Sequence, residues 1–336
     1  MAAPFLILKQ IKYILLFFLL TLPINLISQT TNETGRPFIS NYAPKLYDAN
    51  PQNWCIEQDH RGVMYFGNSD GILEYDGVNW RLIKTPKNNV VRSLHCDDEG
   101  RIWVGGSGEI GYLEPDSIGR MSFHSLTSFV PEHRMNFSDV WFTKHIPDEG
   151  VYFGGFRNTF RWDGDKMHVV DLDSTKGWAM LYINQKKYIY RLDTGLYEST
   201  GDEMRFLNGT EIFGGFGLGY VDTYNENEIL LVSRSGDFYT HDGNNLRTLP
   251  MESADEIKKY PPIRRIRKLP NNKYAIGSIR GGVMIVNENG RLLHHYNRLN
   301  GLQDNVVYDM FVDNNDALWL ALDNGIARID ITSPLT

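Results

Sequence analysis

Two cysteines stand in 336 residues. So few thiols exclude the multi-bridge framework of a small secreted scaffold. They leave either one bridge between Cys55 and Cys96 or two buried apolar thiols, and the second is the simpler reading. A basic excess is missing too. Lys and Arg number 34 against 41 Asp and Glu, for a net charge of −7. That excludes the basic face a nucleic-acid partner requires. After residue 28 no apolar run approaches the roughly 20 residues of a membrane-spanning helix. Long stretches with apolar residues at helical spacing are absent as well. The nine His show no metal-ligand spacing. His294-His295 is adjacent, so on a strand its two rings point to opposite faces. "HCDD" (His95 to Asp98) falls on a strand and turn, where Asp97 reads as a turn cap. No metal and no cofactor are expected.

What is present begins with a leader. Lys9 and Lys12 precede the apolar "YILLFFLLTLPINLIS", residues 13–28, which ends on a small residue. This is the pattern of a cleaved signal peptide at 1–28, with an uncleaved anchor as the alternative. The mature chain is expected to be exported. Residues 29–52 read as a linker with a possible closing strand, and 53–336 as one repeated architecture.

The repeat shows in "RGVMYFGNSDGILEYDGVNW" (Arg61 to Trp80) and recurs to the end of the chain. Each unit is anchored on the apolar residue that ends its first strand-like run. The anchors are Phe66, Val104, Phe153, Tyr190, Val232, Ile276 and Leu320. Their spacings of 38, 49, 37, 42, 44 and 44 residues match four-stranded propeller blades of about 40–50 residues. The residue after the anchor is mostly small. Ten residues past it, Asp76-Gly77, Asp163-Gly164 and Asp242-Gly243 predict two-residue hairpin turns. Between turns the residues are Val, Ile, Tyr, Phe, Trp and Leu, which strands favour. The fold expected is all-β: a seven-bladed β-propeller of four-stranded antiparallel blades. Radial stacking buries both faces of each sheet. The seventh unit stops too early for its outermost strand, and "RPFISNYAP" (Arg36 to Pro44) can supply it.

With the repeat in place, "LHCDDEGRIWVGGSGEIGYLE", "MFVDNNDALWLALDNGIARID" and "NWCIEQDHRGVMYFGNSDGILEYDGVNWRLI" resemble the two-component-regulator propeller repeat. The shared pattern is an apolar strand, D-x-x-G, a W-[IVL]-[GA] strand, then G-[IL]-x-x-[IL]-[DE]. The resemblance implies a periplasmic bacterial sensor, coupled through a membrane helix to a kinase or transcription output. Its partners would be an oligosaccharide or other small ligand, together with a dimer mate or downstream domain. This sequence ends at "ITSPLT" without such a domain and reads as a truncated member.

Candidate ligand-binding residues come from position rather than motif. Twelve residues before the anchors stand Trp54, Arg92, Trp141, Trp178, Tyr220, Arg264 and Tyr308. All are aromatic or Arg, near the start of each innermost strand. A ring of such side chains at one channel mouth suits sugars and acidic groups. The alternative is that they wedge between blades. Catalytic signatures are missing. "GSGEIG" (Gly106 to Gly111) lies in a hairpin rather than before a helix, "GGFGLG" (Gly214 to Gly219) is a blade-to-blade loop, and "GGSGE" lacks the final Gly of a nucleophile elbow. The functional expectation is a ligand-sensing propeller and not an enzyme. The alternatives are an interaction scaffold and a propeller enzyme acting on polysaccharide.

Overall fold

The computed structural model describes residues 37–155, 158–170, 178–200, 203–215 and 217–331. The expected leader lies outside these. Among the described residues, the strands assemble into seven antiparallel sheets of four strands each. Six sheets use consecutive strands. The seventh joins Val307–Val312, Leu318–Leu322 and Ile326–Ile329 to the N-terminal strand Ile39–Tyr42. Ile39 pairs with Ile329 and Tyr42 with Ile326, so the closing strand falls inside the segment expected for it.

The innermost strands are Asn53–Gln58, Val91–Cys96, Phe142–Ile146, Trp178–Ile183, Leu218–Thr223, Ile263–Leu269 and Val307–Val312, in blades one to seven. Each approaches its two neighbours in cyclic order. Alternation of side chains along a strand sends successive residues to opposite faces, and here the two faces belong to different blade interfaces. Tyr65 packs with Val91, Leu94 and Ile102 of blade two. Its neighbour Phe66 packs with Trp319 and Ile326 of blade seven. Every neighbouring pair of blades is joined by such a buried apolar cluster. Cys55 and Cys96 are both free thiols, and burial pushes Cys96 up to about 12.

The seven anchors are all buried and lie on the second strand of each blade. The small residue after the anchor has a steric reason. A Cβ at Gly67 would lie 2.4 Å from Cys55 Sγ and 2.9 Å from the Val91 carbonyl. One at Gly277 would meet Met310 and Val307 at 3.1 Å. Glycine therefore lets the innermost strand of the next blade come close.

Turn chemistry explains the recurring Asp. In the D-x-x-G turns, Asp97 Oδ1 accepts from the Glu99 and Arg101 amides while its Oδ2 takes the Trp103 indole N–H at 2.7 Å. Asp313 repeats this with Asn315, Ala317 and Trp319, in a turn where Asp316 stands in place of the Gly and takes the positive φ of 60°. The Asp-Gly hairpins differ from expectation. Tyr75 pairs with Trp80, Trp162 with Met167 and His241 with Leu246, so each loop holds four residues instead of two. Only the Gly takes positive φ, as in Gly77 at 99°. The Asp stays outside that region because its carboxylate accepts the two following amides, as Asp76 does from Val78 and Asn79.

Candidate functional site

The candidate ring begins with a backbone irregularity. In blades one, two, six and seven the ladder skips a residue near the start of the innermost strand. The skipped residues are Trp54, Arg92, Arg264 and Tyr308. A bulge turns the extra side chain out of the regular alternation. Trp141 stands two residues before Thr143, which faces the anchor Phe153, just as Trp54 stands two before Ile56, which faces Phe66.

Blades four and five correct the sequence reading. Ile189 packs toward blade three, as Phe66 packs toward the preceding blade, whereas Tyr190 faces blade five. In blade five Leu231 faces back and Val232 faces blade six. The anchors Tyr190 and Val232 are therefore one residue out of register, and a one-residue slip exchanges faces. Trp178 still falls in the ring place, two residues before Met180, which pairs with Ile189; its side chain lies outside the described residues. Tyr220 does not. The skipped residue in blade five is Gly219, and Tyr220 wedges among Ile263, Ile276 and Phe238 between blades five and six. Its hydroxyl donates to Asp222, and burial first, then Asp222, holds the phenol above its usual range. The missed signal was the residue after the anchor, which is Arg191 or Ser233 in these units and not Gly or Ala.

The ring residues that converge do so on one another. Tyr308 stacks on Trp54 with centroids 4.4 Å apart. The Arg92 guanidinium lies 3.8 Å from the Trp54 ring and 4.8 Å from the Trp141 ring. Trp54 meets Trp141 edge-on at 6.1 Å, across blade two. Such contact between blades one and three requires both rings to point to the axis. Polar tips tie the stack down. Trp54 Nε1 donates to Ser69 Oγ at 3.1 Å, Tyr308 donates to Asp323 at 3.0 Å, and Arg92 pairs with Asp139 at 3.4 Å. Arg264 is different. Its Nε is buried without a hydrogen-bond partner. Burial, with Arg265 and Arg234 beside it, pulls the guanidinium down to about 10.

Along the axis runs a cavity of about 420 Å³ to which all seven blades contribute. Arg92 and Trp141 line it at the strand starts, and Tyr182, Ile183 and Asp222 at the strand ends. Most of the lining comes from blades two to five. That asymmetry follows from the register. In blades four and five Tyr190 and Val232 occupy the place where Gly67 and Gly277 admit the next strand, and Tyr190 itself lines the cavity.

The other side of the axis is held by charge. Asp309 is buried and accepts from Arg265 Nε at 3.0 Å, Arg267 Nη2 at 3.3 Å and the Ile56 amide at 3.2 Å. One carboxylate thus ties blades one, six and seven. Nothing in the local sequence marked Asp309 beyond its being an acid in an apolar strand. Glu57 faces the same cavity. Burial, then the charge of Asp309, pushes its carboxyl up to about 8. Burial, then Lys144 and His145, pulls His95 down to about 3, so its imidazole is neutral. Among the described residues, no group of three or more His, Cys, Asp or Glu is placed to hold a metal ion.

Glu57 carries a pH signature. Its folded value lies above the unfolded 4.5, so folding favours the protonated carboxyl. That contribution is complete below about 4.5 and is lost as pH rises through about 8. Thermal melts of Glu57→Gln and the parent should therefore diverge between pH 6 and pH 9, with the variant more stable at pH 9. An equal gap at both pH values would refute the assignment.

The fold and this axis define a seven-bladed β-propeller with a charged axial cavity. The family model described as two component regulator propeller matches residues 85–108, which include the first two strands of blade two. No curated protein matches the chain. Among solved structures it is similar to the extracellular domain of a putative hybrid two component system from B. thetaiotaomicron. There the TM-score is 0.68 at 16% identity, over 89% of this chain and 42% of that one. It is also similar to the extracellular domain of a putative one component system from the same organism, at TM-score 0.63 and 16% identity, over 88% of this chain and 40% of that one. A virginiamycin B lyase from Staphylococcus aureus, crystallised in a catalytically inactive form with quinupristin, gives TM-score 0.67 at 10% identity. The overlap covers 87% of this chain and 98% of the lyase. The chain thus spans about two fifths of each regulator domain. At these identities the likeness shows the fold alone.

Proposed function

We propose that this chain is the ligand-sensing propeller of an exported bacterial regulator, and that the axial cavity is where it binds a small polar ligand, a glycan in the first instance. The observation that carries this is the cavity itself. At about 420 Å³ it falls in the size range of small-molecule sites. It takes side chains from every blade, so an occupant would bear on all seven sheets at once. A ligand there shifts the propeller's packing against a dimer mate or following domain by its difference in affinity for the two arrangements. The two component regulator repeat at residues 85–108 supports a sensing role. The apolar leader supports export; among the described residues no helix is long and apolar enough to cross a membrane.

A catalytic reading has one observation behind it: two acids, Glu57 and Asp309, line the same cavity. Asp309 already has both oxygens engaged, by two guanidiniums and the Ile56 amide. The sensing reading is tested by titration calorimetry of the full chain against a panel of oligosaccharides. Binding should weaken in Trp141→Ala while the melting temperature holds. Silence across a broad panel would end this reading, and turnover of a bound glycan would replace it with the catalytic one.

A further inference from the structure

The charges around the axis do not follow those of the chain. The chain as a whole carries −7. The cavity is lined by Arg92, Lys144, Arg265 and Arg267 against Asp222 and Asp309. Behind Arg92 stands Asp139; Arg264, at the start of blade six's innermost strand, lies beside Arg265 and Tyr308, just outside the lining. Glu57, whose carboxyl is pushed up to about 8 by burial and then by Asp309, is mostly protonated at neutral pH. Four lining cations then stand against two lining aspartates. Further out, Asp323 on Tyr308 is offset by Arg234, which lies beside Arg264. A cationic pocket with low-dielectric walls in an acidic protein concentrates small anions.

Two of the cations are set apart. Arg265 and Arg267 are engaged by Asp309 and Arg92 by Asp139. Lys144 has no ion-pair partner among the described residues, and Arg264 has neither an ion-pair nor a hydrogen-bond partner among them. Buried guanidinium N–H groups without acceptors are costly. Arg264 leaves Nε in that condition, and Arg92 leaves Nε and Nη1. Both stand at the starts of their innermost strands, where Trp54, Trp141 and Tyr308 pack on one another and on Arg92. Carboxylate or sulfate oxygens are what such donors match.

We propose, resting on the sensing reading above, that the axial cavity selects an acidic saccharide, its anionic group held by Lys144 and the strand-start arginines, in preference to a neutral sugar. The assignment explains why unpartnered cations are kept on the axis of an acidic protein. It also accounts for a protonated Glu57, which can donate to a sugar hydroxyl without repelling the ligand.

The test is titration calorimetry of the full chain with glucuronate and galacturonate, with glucose and galactose as neutral controls, and with inorganic sulfate. The uronates should bind, and more weakly as salt rises. The hexoses should bind at least about tenfold more weakly. Lys144→Gln and Arg264→Gln should each weaken uronate binding by about tenfold or more and leave hexose binding within about twofold. Arg264→Gln should melt no lower than the parent, because it removes a desolvated charge. If Lys144→Gln fails to fold, Arg264→Gln and the salt dependence of the parent still decide. Equal binding of hexoses and uronates, unaffected by either substitution, would overturn the selectivity and leave the sensing reading standing. Sulfate binding without uronate binding would overturn the saccharide assignment. Silence of every probe would overturn the selectivity; the sensing reading itself falls only if the oligosaccharide panel is silent as well.

Discussion

Asp309→Ala should destabilise the propeller by about 3–5 kcal/mol, the usual effect of removing one partner from a buried ion pair. The carboxylate is 8% exposed and serves two guanidiniums and the Ile56 amide. Without it Arg265 and Arg267 face each other from the same strand with no countercharge, and a blade-one amide loses its acceptor. The loss falls on three blades at once, so it should appear as one cooperative shift. Urea unfolding followed by tryptophan fluorescence would measure it. Replacing Arg265, Arg267 and Asp309 together by apolar residues of similar size should recover much of the difference, since isosteric replacement of buried ion pairs is often neutral or better. A loss below about 1 kcal/mol in Asp309→Ala would show that the pair is solvated and that the axis is not held by charge.

Deleting Ile39–Tyr42 should have an effect on the order of 5 kcal/mol or more, from lost packing and strand pairing together. The four residues complete the last blade against Ile326–Ile329. Tyr42 stacks on Trp319 at 5.5 Å and touches Tyr75 and Trp80 of blade one at 5.6 and 5.4 Å. Gln303 donates to the Tyr42 carbonyl at 3.1 Å, and Asn41 donates to that of Gly301 at 2.8 Å. Without the strand, Ile326–Ile329 becomes a bare edge, a template for pairing with another chain. The truncated protein should melt at least about 10 °C lower and run as oligomers in size-exclusion chromatography with light scattering. A monomer with an unchanged melt would show that the ring closes without it.

Both expectations bear on what could be read in advance. The D-x-x-G turns, the strand alternation and the missing outermost strand of the last unit were legible because turns and periodicity are local properties of a few residues. The ring at Trp54, Arg92, Arg264 and Tyr308 was legible because equivalent positions recur at a constant count, and bulges occur at those positions. The count misled at Tyr220, where a one-residue slip moved the ring position to Gly219. It gave no hint that the aromatic faces would be occupied by one another. Asp309 was not legible, since its partners lie 42, 44 and 253 residues away and a single charge in a strand looks the same paired or unpaired.

The sequence by itself determined the number of blades, the places where the chain turns and the N-terminal segment that completes the last sheet. Period-two alternation and turn-forming residues dictate these wherever the strands finally sit. Tertiary structure alone decided which side chains meet on the axis and where the cavity opens. Facing depends on register to a single residue, and the large Tyr190 and Val232 in place of glycine hold two innermost strands back. It alone decided the charge balance of the cavity as well, because cations and acids far apart in the chain come within pairing distance only when seven blades close around one axis.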